Sequence, residues 1–156
     1  MGVRDGERGA TGAPRMKYRT TWRRIPGPAY TYAAKVTAVH DGDTCSVDLD
    51  LGLSVHVLTA IRLLGCNAIE LGDPGGVEAG QHLREVLLGQ AVYLRTVKPD
   101  KYAGRMDAQV TVLADPTDPT SGYDLVTRLI ADGWAAAWDG KGPKRVPSWP
   151  RVNATP

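Results

Sequence analysis

Residues 34–64 read AKVTAVHDGDTCSVDLDLGLSVHVLTAIRLL, and the division of that stretch decides the fold. Ala34 to Val39 reads as a strand. Asp41-Gly42 is a hairpin turn signal. From Cys45 to Leu51 the apolar residues Val47, Leu49 and Leu51 fall on one face, the period of two of a half-buried strand. Gly52 marks a second turn, and Val55 to Leu64 reads as a third strand. The stretch is therefore a three-stranded meander.

Downstream, a Gly/Pro loop spans Gly72 to Gly76. Ala79, Leu83, Val86 and Leu87 then share one helical stripe, with Glu78, Arg84 and Glu85 largely off it, and Gly89 closes the helix. Ala91 to Val97 is a fourth strand. Met106 to Leu113 is a fifth, with Val110 and Val112 on one face. Asp115 to Gly122 is a loop, and Ser121 with Asp124 forms a capping box for a second helix through Leu125, Val126, Leu129 and Ile130, which Gly133 ends. Trp134 to Trp138 extends beyond it. The order βββ-α-ββ-α predicts an α+β fold, mainly β: a five-stranded OB-fold barrel with two to three helices.

The chain has 156 residues, enough for one domain with an ordinary core. Residues 1–30 carry many Gly, Pro and Arg with no apolar period and read as a flexible basic arm. Residues 31–139 form the barrel domain. Residues 140–156 are a Pro/Gly-rich basic tail, whose Trp149 is available to dock on the body. The net charge of +2 is unevenly spread. Residues 1–34 hold seven Lys/Arg and two acids, residues 35–138 eight and fourteen, and residues 139–156 four and one. An acidic body thus lies between two basic ends.

No apolar run is long enough to span a membrane. The absence of an apolar leader predicts a cytoplasmic protein, with secretion of a processed form as the alternative. Cys45 and Cys66 fit no zinc spacing and no disulfide framework, so both read as small buried thiols. His40, His56 and His82 are scattered and form no constellation.

Three segments carry candidate chemistry. Asp41-Gly42-Asp43-Thr44 places two carboxylates across a tight turn, where both can face one cation. It is not an EF-hand loop: counting from Asp41, position six is Ser46 instead of Gly and position twelve is Gly52 instead of Glu. Arg62 is a charge inside an apolar strand, and either points outward at an edge or grips a phosphate with its fork of donors. Glu70 follows in a loop, where a carboxylate can activate water. Asp100-Lys101-Tyr102-Ala103-Gly104-Arg105 ends with a second Arg opening a strand. Together they are the parts for metal-assisted phosphodiester hydrolysis: carboxylates for a cation, a base for water, and two guanidinium groups for the added transition-state charge.

From Lys35 to Trp138 the chain resembles the staphylococcal nuclease (thermonuclease-like) family. Val39-His40-Asp41-Gly42-Asp43-Thr44 resembles that family's V-x-D-G-D-T. Ile61 to Glu70 resembles its R-L-x-x-x-D-x-x-E, and Asp100 to Arg105 its D-K-Y-G-R. The ending Trp138-Asp139-Gly140-Lys141-Gly142 is similar to that of small actinobacterial and phage members. The resemblance implies an OB-barrel and calcium-dependent cleavage of DNA and/or RNA, leaving 3′-phosphate and 5′-hydroxyl ends, with Mg2+ or Mn2+ as alternative metals. It implies Asp43 and Asn67 as metal ligands with Asp41 behind them. It makes Arg62 a phosphate-binding catalytic residue, Glu70 the base or water-orienting acid, and Arg105 the stabiliser of the transition state and leaving group. Lys101, Tyr102 and Trp138 are the implied substrate contacts, Trp138 by base stacking or as a core or lid residue.

Two departures stand out. Asn67 replaces a ligand Asp of the family, which predicts weaker metal binding, a changed metal preference or a slower enzyme. Ala103 is one residue extra before Gly104, which the loop must absorb. The expectation is a monomeric nuclease of little sequence specificity, with no membrane partner. The rival expectations are a non-catalytic OB-fold nucleic-acid-binding module with a degenerate metal site, and an interaction domain without a nucleic-acid role.

Overall fold

The computed structural model describes residues 30–101, 104–118 and 120–150. The basic arm expected over residues 1–30 (Tyr30 apart), together with Tyr102, Ala103 and the last residues of the expected C-terminal tail, lies outside the described residues. The elements run β1 (Thr31–Val39), β2 (Thr44–Asp50), β3 (His56–Leu63), β4 (Cys66–Ala68), α1 (Gly76–Leu87), β5 (Ala91–Pro99), β6 (Arg105–Leu113), β7 (Gly122–Asp124), α2 (Leu125–Ala131) and β8 (Ala135–Ala137).

Five strands close on themselves. β1 pairs antiparallel with β2 on one side and β5 on the other, β2 continues to β3, and β5 to β6. The ring is shut by a parallel pairing of β3 with β6, which sets Ala60 beside Arg105 and Arg62 beside Asp107. This is an OB-fold-like barrel with two helices. The short β7 extends β6, and β4 pairs with β8 in a separate two-stranded sheet that sets Asn67 opposite Ala136.

The alternation expected of the strands is what fills the barrel. Val36, Cys45, Val47, Ile61, Leu63, Val92, Leu94 and Val110 are all buried, with Leu83 and Leu87 of α1 and Leu125 and Leu129 of α2 packed into the same core. Each such side chain contributes roughly 1.5–3 kcal/mol by leaving water. A bulge between Val36 and Ala38 resets the phase of β1, so Val39 also turns inward. Leu51, expected on the inner face, is 46% exposed, because β2 ends at Asp50 and the chain turns away through Gly52, Leu53 and Ser54, all with positive φ.

The start of α2 differs from the expected capping box. Asp124 itself is the N-cap, accepting the Thr127 N–H at 2.7 Å, while the Ser121 hydroxyl donates to the Asp115 and Asp118 carbonyls. An Asp immediately before the apolar stripe caps more directly than a Ser three residues earlier. Both cysteines are buried and free, and burial pushes each thiol up to about 12. No helix of the described residues is long and apolar enough to cross a membrane. Residues 138–150 form neither helix nor strand, as their Gly and Pro content predicts, yet they pack across one end of the barrel.

Candidate active site

The turn between β1 and β2 is built by Asp41. Its Oδ1 accepts the Asp43 N–H at 2.9 Å, the side-chain turn that Asp favours. The turn presses close to its neighbours: a Cβ on Gly42 would lie 2.6 Å from the Ala68 Cβ. The Leu63 N–H donates to the Asp43 carbonyl at 2.9 Å, which ties the turn to the end of β3.

Asp43 and Asn67 lie beneath the barrel rim, 4% and 0% exposed. The Asp43 carboxylate accepts from Arg62 Nη1 at 2.7 Å, from the Thr44 hydroxyl at 3.1 Å and from the Ala68 N–H at 3.1 Å. Burial pushes the Asp43 carboxyl above its ordinary value, against the pull of the Arg62 guanidinium. Asn67 Oδ1 accepts from Arg62 Nη2 at 2.8 Å, and its Nδ2 donates to the Ala68 and Arg145 carbonyls at 3.1 and 3.3 Å. One guanidinium therefore bridges both residues that the family resemblance implies as metal ligands. Arg62 points this way because its neighbours Ile61 and Leu63 take the inner face of β3. Its guanidinium also lies 5.9 Å from the centre of the Trp138 ring.

Glu70 sits on the loop after β4. The loop is held by the Asp73 N–H on the Glu70 carbonyl at 2.9 Å and by the start of α1, where a Cβ on Gly76 would come within 1.9 Å of that carbonyl oxygen. The Glu70 carboxylate accepts from Lys144 Nζ at 2.6 Å. That hydrogen bond is the main reason its carboxyl lies below the usual range. Arg105, at the start of β6, is paired through Nε with Asp100. Burial raises the Asp100 carboxyl, but the hydrogen bonds from Arg105 and the Lys101 N–H hold it below its ordinary value.

Arg62, Glu70, Arg105, Asp41, Lys101 and Trp138 all line one cleft of about 490 Å³ at the barrel rim. The structure thus brings together the described candidates, with Asp43 and Asn67 buried beneath them. Three charged cleft residues have no counterpart in the sequence reading. Lys144 comes from the C-terminal segment, and Lys98 and Asp107 come from β5 and β6. Lys98 Nζ lies 3.5 Å from Asp107 Oδ2, while the buried Asp107 Oδ1 has no hydrogen-bond partner among the described residues. Five Lys/Arg and four Asp/Glu line the cleft, a net +1 on a body that is acidic overall.

The donor set fits a divalent cation on one condition. Among the described residues no three His, Cys, Asp or Glu side chains converge on a possible metal position. Asp43 Oδ1 and Asn67 Oδ1 are hard oxygen donors of the kind calcium takes, but Arg62 occupies both. A cation held there must displace the guanidinium. No protein-family model matches the chain, and no curated protein matches it.

Proposed function

We propose that this chain is a staphylococcal nuclease-like phosphodiesterase that hydrolyses DNA and/or RNA with little sequence specificity. The observation that carries the reading is the convergence of Arg62, Glu70 and Arg105 on one rim cleft above two buried oxygen ligands. These are a base and two guanidinium groups drawn from three separate segments, the set that phosphodiester hydrolysis requires.

In the proposed reaction the phosphodiester enters the cleft between Arg62 and Arg105. Glu70 takes a proton from a water molecule as the water oxygen bonds to phosphorus. The bond to the 5′ oxygen then breaks, that oxygen takes a proton from solvent water, and Glu70 returns its proton to solvent, which leaves a 3′-phosphate and a 5′-hydroxyl. Arg62 and Arg105 donate to the phosphate oxygens, whose charge grows toward the transition state. Asp100 keeps the Arg105 guanidinium at the cleft through the pair at Nε. Trp138 offers a ring face to a neighbouring base. Calcium, with Mg2+ or Mn2+ as alternatives, is the proposed cofactor. Asp43 and Asn67 would hold it, with Asp41 behind, and when bound it would polarise the phosphate.

The same geometry supplies one argument for a binding module without catalysis: Arg62 already fills the position between the two proposed ligands, and Asn67 brings no charge there. Incubating the protein with single-stranded DNA in calcium, magnesium, manganese or EDTA separates the two. Cleavage abolished by EDTA and by Glu70→Gln is the expected result. Salt-sensitive binding without cleavage in any of the metals leaves the binding module.

A further inference from the structure

The C-terminal segment reads as a tail in the sequence, but it is a wall of the cleft. The Arg145 carbonyl is held by the buried Asn67 amide at 3.3 Å. The Trp138 indole N–H donates to the Lys141 carbonyl at 3.1 Å. The Trp149 ring lies against Gly75, where a Cβ would come within 2.5 Å of it, and 6.3 Å from the Trp134 ring. The backbone on both sides of Lys144 is therefore tied to the barrel, while the side chain is about half exposed and faces the cleft.

We propose that Lys144 is a substrate-binding residue, held on Glu70 at rest and taken over by the phosphate when nucleic acid enters; the proposal rests on the phosphodiesterase reading above. Two observations carry it. The first is charge. Without Lys144 the cleft lining would hold four cations and four carboxylates, with no net attraction for a polyanion. The second is the identity of its partner. Arg62 and Arg105 are paired with Asp43 and Asp100, which have no proton to move in the reaction. Lys144 is paired with Glu70, the proposed base. A carboxylate tied to an ammonium is a weak base, so Glu70 can accept the water's proton well only after Lys144 has moved. A phosphate oxygen entering the cleft offers the ammonium a new anionic partner, and the four-carbon stem of Lys provides the reach. Binding of the substrate would then release its own base.

The test compares Lys144→Met and Lys144→Arg with the wild-type protein, using a short single-stranded oligonucleotide. Binding is read by fluorescence anisotropy in EDTA across a salt series. Lys144→Met should lower the slope of log affinity against log salt by about 0.7, the share of one phosphate contact on a single strand. In cleavage assays it should lower kcat/KM about tenfold, the loss of one charge-assisted hydrogen bond. It should also move the acid limb of the kcat/KM profile to higher pH and leave the acid limb of kcat in place, because only the free protein has Lys144 on Glu70. Lys144→Arg should restore both the salt slope and the profile. An unchanged salt slope, or an unmoved acid limb of kcat/KM in a protein that still cleaves, overturns the role of Lys144 alone. Failure of the wild-type protein to cleave in calcium, magnesium or manganese overturns the phosphodiesterase reading, and this proposal with it.

Discussion

Arg62 Nη1 donates to Asp43 Oδ1 at 2.7 Å, and that bond is continued by Nη2 on Asn67 Oδ1 at 2.8 Å. A cation is already in place between the two oxygens proposed for a metal.

Arg62 and a divalent cation should therefore compete. Arg62→Gln should bind calcium, or terbium as a luminescent stand-in, about tenfold more tightly than the wild type, a gain of about 1.4 kcal/mol. It should also be less stable by on the order of 3 kcal/mol, because Asp43 stays buried without its counter-charge. Arg62 opposes the burial that raises the Asp43 carboxyl, so in the variant that carboxyl titrates at still higher pH. The gain in metal affinity should then shrink as the pH falls, since the ligand must be ionised. Calorimetry at two pH values checks both statements, and equal affinities in the two proteins would refute the competition.

Asn67→Asp should act in opposite directions with and without metal. The Asn67 amide donates to the Ala68 and Arg145 carbonyls, and a carboxylate cannot. Without metal the variant should lose about 1–3 kcal/mol, the cost of carbonyls left without donors. It should also expose the chain beyond Asp139 to proteases. With calcium the added charge should offset the loss. Urea denaturation should show a larger calcium-induced rise in the midpoint for the variant than for the wild type.

Two glycines of α1 should respond with opposite signs. A Cβ at Gly76 would overlap the Glu70 carbonyl oxygen, so Gly76→Ala must push the Glu70 loop away, costing about 1–3 kcal/mol and lowering cleavage. At Gly80 the nearest atoms, in the Asp41 backbone, lie at 3.5 Å, ordinary contact. Gly80→Ala should therefore be neutral or more stable by up to about 1 kcal/mol, the helix preference of Ala over Gly. Thermal unfolding and an activity assay on the pair would decide it.

The basic arm should add to substrate capture. Removing residues 1–29 takes away seven Lys/Arg and two acids, leaving an acidic body with its C-terminal cations. Affinity for single-stranded DNA should fall, and its salt dependence should flatten. The rate at saturating substrate should change little. An unchanged salt slope would leave the arm without a binding role.

The barrel is legible in the sequence because its strands bury one face and leave the other to polar residues. Val47 and Leu49 alternate with Ser46 and Asp48, and the structure buries the first pair. Arg62 stands out for the complementary reason, as a charge between Ile61 and Leu63. The two shortest strands of the second sheet are silent. Cys66-Asn67-Ala68 and Ala135-Ala136-Ala137 carry no β-branched or alternating signal, and pair only because the fold sets them side by side. Asp107 is hidden by its regularity: it sits at an expected polar position of β6, and only the closure onto β3 buries it beside Arg62. Lys144 has no local signal at all. Its position comes from a hydrogen bond to a residue 74 positions earlier, a distance no pattern of neighbours encodes.

The hydrogen bond from the Asn67 amide to the Arg145 carbonyl also sets an order of events during synthesis. Every strand of the barrel ring has been made once Leu113 is added, so the ring can close before residues 138–150 are made. The rim is different. Trp138, Lys144 and the carbonyl that holds Asn67 all lie in residues 138–150, well after the ring strands. A nascent chain therefore owns a barrel before it owns a complete cleft, and loss of residues 138–150, by early termination or by a protease, yields a folded ring with an open rim.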